Sequence, residues 1–291
     1  MSLPAASLSD DLLSSLPFGP SASDEGRRAE LRREILSAAA AQGPDELAYA
    51  RVHVARFVET LRLTPAGDSA SSLLELGAFF PFTYALRMLG YGEVSTVSIP
   101  VWSAGNRLEC TIRIPDRPAE VFKSTVANVE TEALPFEAGH FDTALACEIL
   151  EHLIVDPMFM MGEINRVLKT GGILILTTPN ACSLRNLASL LAGKSPMLFG
   201  KYGRGGNLYA RHCREYTPDE VREIIRCSGF ELLAMATADV MDDGPGPDRA
   251  GALSMLRELG QPPRDRGRTT FAVGRKVRDG VLERYPDVLY A

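Results

Sequence analysis

From residue 72 onward, short apolar runs alternate with segments of helical period, and this alternation narrows the possible folds more than any other feature. Ser72 to Leu76, Glu93 to Ile99, Ser124 to Val129, Phe141 to Cys147, Ile173 to Thr178, Glu231 to Val240 and Thr269 to Val273 read as strands. Phe82 to Leu89, Asp156 to Leu168, 182–192 and 250–259 read as helices between them. Thr217 caps a further helix reaching Ser228, with Pro218 suited to its first turn and Glu220 at the capping-box position. Gly and Pro punctuate the series, as at Thr170-Gly171-Gly172 and Pro179-Asn180. Strands separated by helices predict an α/β fold, a largely parallel sheet covered on both faces.

Other segments frame this series. Residues 1–26, rich in Ser, Pro, Ala and Gly, read as a flexible N-terminal arm. Residues 27–66 read as an N-terminal helical segment with helices over about 27–41 and 45–63; Val52, Ala55, Phe57, Val58 and Leu61 form an apolar face on the second. The main domain is expected over 67–291. Leu108 to Ile114 alternates like a strand ahead of a Pro-Asp-Arg-Pro turn, which predicts a hairpin insertion over about 101–124.

The formal net charge of -6 argues against long nucleic acid as a partner, since unselective binding to it needs an excess of positive charge. Five scattered cysteines (Cys110, Cys147, Cys182, Cys213, Cys227), none in Cys-x-x-Cys spacing, argue against a zinc knuckle or disulfide framework and fit a reducing cytoplasm. No stretch approaches a membrane span, and the start lacks the basic end and apolar core of a signal peptide. A homo-oligomer remains compatible with the composition.

The densest chemistry lies at Glu148-Ile-Leu-Glu151-His152, directly after the apolar run ending at Cys147. In a helix starting there, positions 148, 151 and 152 share one face, so two carboxylates and an imidazole can meet a divalent cation beyond a strand's carboxyl end. The alternative is a solvated helix start, where Glu is favoured in any case. Leu73-Leu-Glu75-Leu-Gly77 places an acid near the end of the first strand and a small residue in the turn after it, where backbone can approach a ligand closely. The loop 194–214 carries Lys194, Lys201, Arg204, Arg211 and Arg214 among Phe199, Tyr202 and Tyr209, and four glycines at 200, 203, 205 and 206. It reads as a mobile substrate loop for an acidic or planar group, or equally as a solvated loop.

Taken in order, these elements together with Asn128-Val-Glu-Thr-Glu-Ala-Leu-Pro135-Phe136, Glu163-Ile-Asn-Arg166-Val-Leu168-Lys-Thr-Gly171-Gly172 and Thr177-Thr-Pro179-Asn180 resemble the class I S-adenosylmethionine-dependent methyltransferases. The resemblance spans roughly residues 50 to 232. It implies a Rossmann-like, seven-stranded, mostly parallel sheet with an antiparallel final strand, and S-adenosylmethionine lying across the carboxyl ends of the first four strands. By position, Glu75 and Gly77 would lie near the methionine and ribose, Asn128 and Val129 at the adenine, with Ser98 and Cys147 completing the cofactor set. Two departures stand out: the turn Gly77-Ala-Phe-Phe-Pro81 keeps only the first glycine, and Val97-Ser98-Ile-Pro100 lacks the usual ribose-binding acid.

A narrower resemblance is to methyltransferases of bacterial polysaccharide and glycan gene clusters. It rests on the Pro- and Phe-bearing turn, Cys147-Glu-Ile-Leu-Glu-His152, Thr177-Thr-Pro-Asn180, Arg211-His212-Cys-Arg214-Glu215-Tyr216-Thr217 and the tail Arg284-Tyr285-Pro286-Asp-Val-Leu-Tyr290. The Glu-x-x-Glu-His pentad with a later His is also similar to metal-dependent O-methyltransferases of RNA 3′ ends and of ubiquinone synthesis. That similarity implies Glu148, Glu151, His152 and His212 as a ligand set for Mg, Mn or Zn. His152 or His212 as a general base is the competing role. The expected function is O-methylation of a sugar hydroxyl on a small-molecule or glycan acceptor. The alternatives are methylation of RNA ribose, or a methyltransferase-fold scaffold without catalysis.

Overall fold

The computed structural model describes residues 7–18, 25–99, 108–197, 208–241 and 248–291. Seven strands form one sheet: β1 (Ser72–Leu76), β2 (Glu93–Ser98), β5 (Thr125–Val126), β6 (Phe141–Cys147), β7 (Leu168–Pro179), β8 (Phe230–Ala238) and β9 (Thr269–Lys276). Their order is β5-β2-β1-β6-β7-β9-β8, parallel throughout except for β9, which runs antiparallel to both neighbours. The chain reverses direction in strand order at β1, so a crevice opens beyond the carboxyl ends of β1 and β6, the usual ligand position in open α/β sheets.

The central strands β1, β6 and β7 are buried on both faces, and the pleat divides their side chains into two cores. Leu73, Leu145, Ile175 and Phe271 pack with α2 (Glu25–Gln42), α3 (Pro44–Leu63) and α4 (Phe80–Arg87). Leu74, Leu76, Ala144, Ala146, Leu174 and Leu176 pack with α5 (Pro157–Val167) and α7 (Pro218–Cys227). Neighbouring positions such as 73 and 74 therefore serve opposite faces, as the two-residue period of a strand requires. The caps also follow the sequence: Asp156 accepts from the amides of Met158 and Phe159 ahead of α5, and Thr217 with Glu220 closes a capping box on α7.

Several boundaries differ from the sequence-based expectations for local reasons. α4 starts two residues earlier than expected, because Pro81 fits its first turn. The third strand shrinks to Thr125–Val126: the Ala127 amide makes a last bond to the Ser98 carbonyl, and the chain then turns, with the Thr131 and Glu132 amides bonding the Asn128 carbonyl. β9 extends to Lys276 because it sits between β7 and β8 and is hydrogen-bonded on both sides. The hairpin insertion forms: β3 (Glu109–Ile112) pairs antiparallel with β4 (Glu120–Lys123). Its Cys110, Ile112 and Phe122 pack against Ala38 of α2 and Phe80 and Tyr84 of α4; residues 100–107 lie outside the described residues. α6 (Leu184–Leu191) and α8 (Arg249–Glu258) share a small apolar cluster of their own. No described helix is long and apolar enough to cross a membrane.

The loose arm expected over 1–26 is docked where it is described. A short helix, α1 (Asp10–Ser14), buries Leu13, and Leu8 and Leu16 are buried on either side of it. Arg62, fully buried at the end of α3, donates to Glu59 Oε2 (2.6 Å) and Asp10 Oδ1 (2.6 Å), and Leu8 N donates to the same Glu59 carboxylate (3.1 Å). A buried guanidinium is costly without such partners, so the strap and the helix end stabilise each other. Leu13→Ala should lower stability by about 2–3 kcal/mol, within the range for a truncated core leucine. Urea unfolding measures this, and an unchanged midpoint would show that 7–18 is not docked in solution.

Candidate active site

A cavity of about 330 Å³ opens at the carboxyl ends of β1, β2 and β6 and extends beneath α3. Its size lies at the lower end of the range for pockets that enclose small molecules, about 300–1,000 Å³. Glu75, Gly77, Ser98, Val129 and Cys147 all line it, as the sequence led one to expect. Gly77 adopts φ +71, and a Cβ there would run into Ile149 Cδ1, so both backbone and space demand glycine. Its amide donates to the Val97 carbonyl (2.8 Å), which extends the parallel β1–β2 ladder by one bond before the chain turns into α4.

Glu75 holds the start of α4 rather than facing open solvent. Its carboxylate accepts from Thr83 Oγ1 (2.6 Å) and from the Phe79 amide (3.3 Å). Burial pushes its carboxyl up to about 7 against these two donors, which act to lower it. The Cys147 thiol is likewise pushed up to about 12, first by burial, so it is an uncharged wall of the cavity. Ser98 Oγ accepts from Ser124 Oγ (2.9 Å). Asn128 is placed differently from expectation: it does not line the cavity. Its Oδ1 accepts from the Glu130 amide (3.1 Å) and its Nδ2 donates to the Tyr209 hydroxyl (3.0 Å), which anchors the turn after β5 and leaves one acceptor position on Oδ1.

The ligand set expected from one helix face is divided. Residue 148 does not begin a helix: its amide bonds the Thr177 carbonyl (2.8 Å), its φ is +57, and a single 3₁₀ turn, Leu150–His152, follows. Glu148 accepts from Thr177 Oγ1 (2.9 Å) and faces Arg56 of α3, 3.6 Å away, on the cavity side. Glu151 accepts from the next residue, Thr178 Oγ1 (2.8 Å). Thr177 and Thr178 point to opposite faces of β7, and the carboxylates they hold follow them.

Glu151, His152 and His212 do come together, with their ligand atoms within 4.8 Å of one another. The Nε2 atoms of both imidazoles lie 3.9 Å from Glu151 Oε1. Glu151 is fully buried, and this Oε1 has no hydrogen-bond partner. His152 Nδ1 faces the Arg211 carbonyl (3.1 Å) and His212 Nδ1 faces the Glu215 carboxylate (3.0 Å). Both partners are acceptors only, so each favours an Nδ1–H facing it and fixes the orientation of its ring, with Nε2 toward Glu151. Burial foremost and then the neighbouring His212 push His152 down to about 4, and burial with Glu148 raises the Glu151 carboxyl well above its usual range. A carboxylate oxygen and two imidazole nitrogens converging in a buried space are the donor set of a cation or shared-proton site.

His212 is delivered by 208–214, which is tied down: the Cys213 amide donates to the Glu151 carbonyl (2.7 Å) and Tyr209 Oη to Glu130 Oε2 (3.2 Å). The glycines that motivated a mobile loop lie within 198–207, outside the described residues. Sequence reasoning missed Arg56, which is 2% exposed and lines the cavity. The available signal was the stripe Tyr49, His53, Arg56 and Thr60, spaced three and four apart beside the apolar face of α3.

Two expectations can be tested directly. Gly77→Val should abolish S-adenosylmethionine binding in calorimetry, and unchanged affinity would move the cofactor elsewhere. Glu75 ionises near 7 in the folded chain and near 4.5 when unfolded, so the stability it contributes is complete below pH 4.5 and is lost as pH rises through 7. Relative to Glu75→Gln, the parent should lose roughly 3 kcal/mol over this window. Parallel unfolding curves from acid to mildly alkaline pH would exclude that role for Glu75.

Residues 47–235 match the family described as methyltransferase domain, well over half of the chain. No curated protein matches the sequence at a significant level. Among solved structures, a complex of the Trm112 methyltransferase activator of Haloferax volcanii with a methyltransferase aligns at a TM-score of 0.50 and 17% identity, covering 85% of this chain and 98% of that one. S-adenosylmethionine-dependent methyltransferases of Archaeoglobus fulgidus (TM-score 0.47, 14% identity, 81% and 96% covered) and Mesorhizobium loti (0.46, 14%, 76% and 97%) are also similar. The family match covers β1 through the start of β8, and the sheet is seven-stranded and mostly parallel with an antiparallel final strand, as the resemblance implied: the chain belongs to the methyltransferase-domain family and is an S-adenosylmethionine-dependent methyltransferase.

Proposed function

We propose that this methyltransferase methylates a hydroxyl oxygen of a sugar, on a glycan, a nucleotide-linked sugar or a related small molecule, with a divalent cation held by Glu151, His152 and His212. The observation that carries the reading is the convergence of Glu151 Oε1 with the Nε2 atoms of both imidazoles. A carboxylate oxygen and two imidazole nitrogens gathered in one buried space are the donor types that a divalent cation takes together. The Arg211-to-Thr217 element, which resembles one in glycan gene-cluster methyltransferases, supports a sugar acceptor, and a mixed N/O site that leaves coordination positions open suits vicinal hydroxyls.

S-adenosylmethionine, when bound, supplies an electrophilic methyl on a sulfonium, and a cation at the triad would lower the acceptor hydroxyl's pKa. The chain's own residues orient the reaction. The Arg211 carbonyl and Glu215 carboxylate hold both imidazoles with Nε2 inward, and Thr178 fixes the far oxygen of Glu151. Glu148 remains with Arg56 on the cavity side and is left out of the ligand set. A histidine base is the second reading, favoured by His152 being held neutral at physiological pH.

Titration with Mn²⁺ or Zn²⁺ followed by calorimetry should show one site, lost in His212→Ala. Glu215→Gln, which loosens the Nδ1 support, should weaken it about 10- to 100-fold. Methyl transfer to a panel of sugars and nucleotide sugars should stop on chelation and return with metal. Activity that persists after exhaustive chelation, with no metal detected by elemental analysis, would overturn the cation and leave the histidine base.

A further inference from the structure

The buried pair on the cavity side of β7 has no assigned task. Arg56 is buried to 2% exposure, and its guanidinium is only partly engaged. Its Nη1 lies 3.6 Å from Glu148 Oε1, its Nη2 lies 3.4 Å from His53 Nδ1, the Tyr49 side chain hydrogen-bonds it, the Phe57 ring centroid lies 4.9 Å away, and its Nε has no hydrogen-bond partner. A guanidinium presents five N–H donors in a planar fork, and burial makes each unspent donor costly. Arg56 and Glu148 both line the cavity, beside Gly77 and Ile149. Glu148 also adopts a left-handed backbone, φ +57, uncommon for a residue with a side chain. Outliers of this kind cluster at sites where function demands the geometry.

From this arrangement we infer that Arg56 and Glu148 together seat the amino-acid end of S-adenosylmethionine, Arg56 taking the α-carboxylate and Glu148 the α-ammonium. The inference rests on the cavity being the cofactor site. A zwitterion carries one charge of each sign a few atoms apart, and the cavity wall offers one of each in complementary sense. The planar fork of Arg56 matches a carboxylate in bidentate fashion, which would use the donors now unspent. Arg56 comes from α3, so the N-terminal helices are part of the cofactor site and not an appendage to it. The pair also gives Glu148 a role separate from the histidine centre, consistent with its placement beside Thr177.

The test is calorimetric binding of S-adenosylhomocysteine, of its decarboxylated analogue, which keeps the amine, and of methylthioadenosine, which lacks both groups. The parent should bind S-adenosylhomocysteine about 10- to 100-fold more tightly than the decarboxylated analogue, the range for charge-assisted hydrogen bonds. Arg56→Gln should lose that preference while its affinity for methylthioadenosine stays as in the parent. Arg56→Lys, which keeps the charge without the fork, should fall between them. Thermal unfolding confirms that each variant is folded; if Arg56→Gln is not, the lysine variant and the parent's own ligand preference decide. The inference is overturned if the parent shows no preference, if Arg56→Gln keeps it, or if that variant weakens all three ligands equally. A parent that binds none of them would instead refute the cavity as the cofactor site.

Discussion

The pleat at the end of β7 is the constraint on which the site depends. Thr177 and Thr178 are adjacent in sequence but face opposite sides of the sheet, and each holds one carboxylate through its hydroxyl. Glu148 is thereby drawn to the α3 side, where Arg56 waits, and Glu151 to the α5 and α7 side, where His152 and His212 meet it. Two polar centres of different chemistry stand back to back at one strand end. A slip of one residue in the β6–β7 register would exchange them, and the apolar positions of both strands, buried on each face, hold that register.

Both centres place ionisable groups where water is largely excluded. Glu75, Arg56 and Glu151 are each almost fully buried, and each would be expensive to leave alone. The fold meets the cost unevenly. Glu75 has two donors and braces α4, whereas Arg56 keeps an unpartnered Nε and Glu151 an unpartnered Oε1. The incompletely satisfied atoms line the cavity or face the histidines, and a ligand would complete them.

Much of this was legible beforehand, for physical reasons that can be named. β1 and β6 appear with the boundaries read from their apolar runs, and α7 starts at the Thr217 cap because capping is a local hydrogen-bond arrangement. Glu151, His152 and His212 could be chosen by residue type and resemblance. Glu148 was assigned to the wrong face because a helix was assumed, while a hydrogen bond to Thr177 prolongs the ladder and a left-handed residue then turns the chain. Asn128 was chosen for its acceptor oxygen, and only the fold shows that the same side chain bonds the Glu130 amide and the Tyr209 hydroxyl, far along the chain.

The sequence by itself determined the alternating α/β architecture, the glycine at position 77 and the family, since these follow from local periodicity, backbone freedom and ordered motifs. Only the tertiary structure decided which polar residues share a centre. It brought Arg56 from α3 to Glu148, His212 from beyond residue 207 to Glu151, and the strap at 7–18 onto Arg62. These pairings join residues tens of positions apart, and burial selects them: a charged group taken out of water accepts whichever partner the packing brings within a few ångströms, and no local pattern in the chain records that partner.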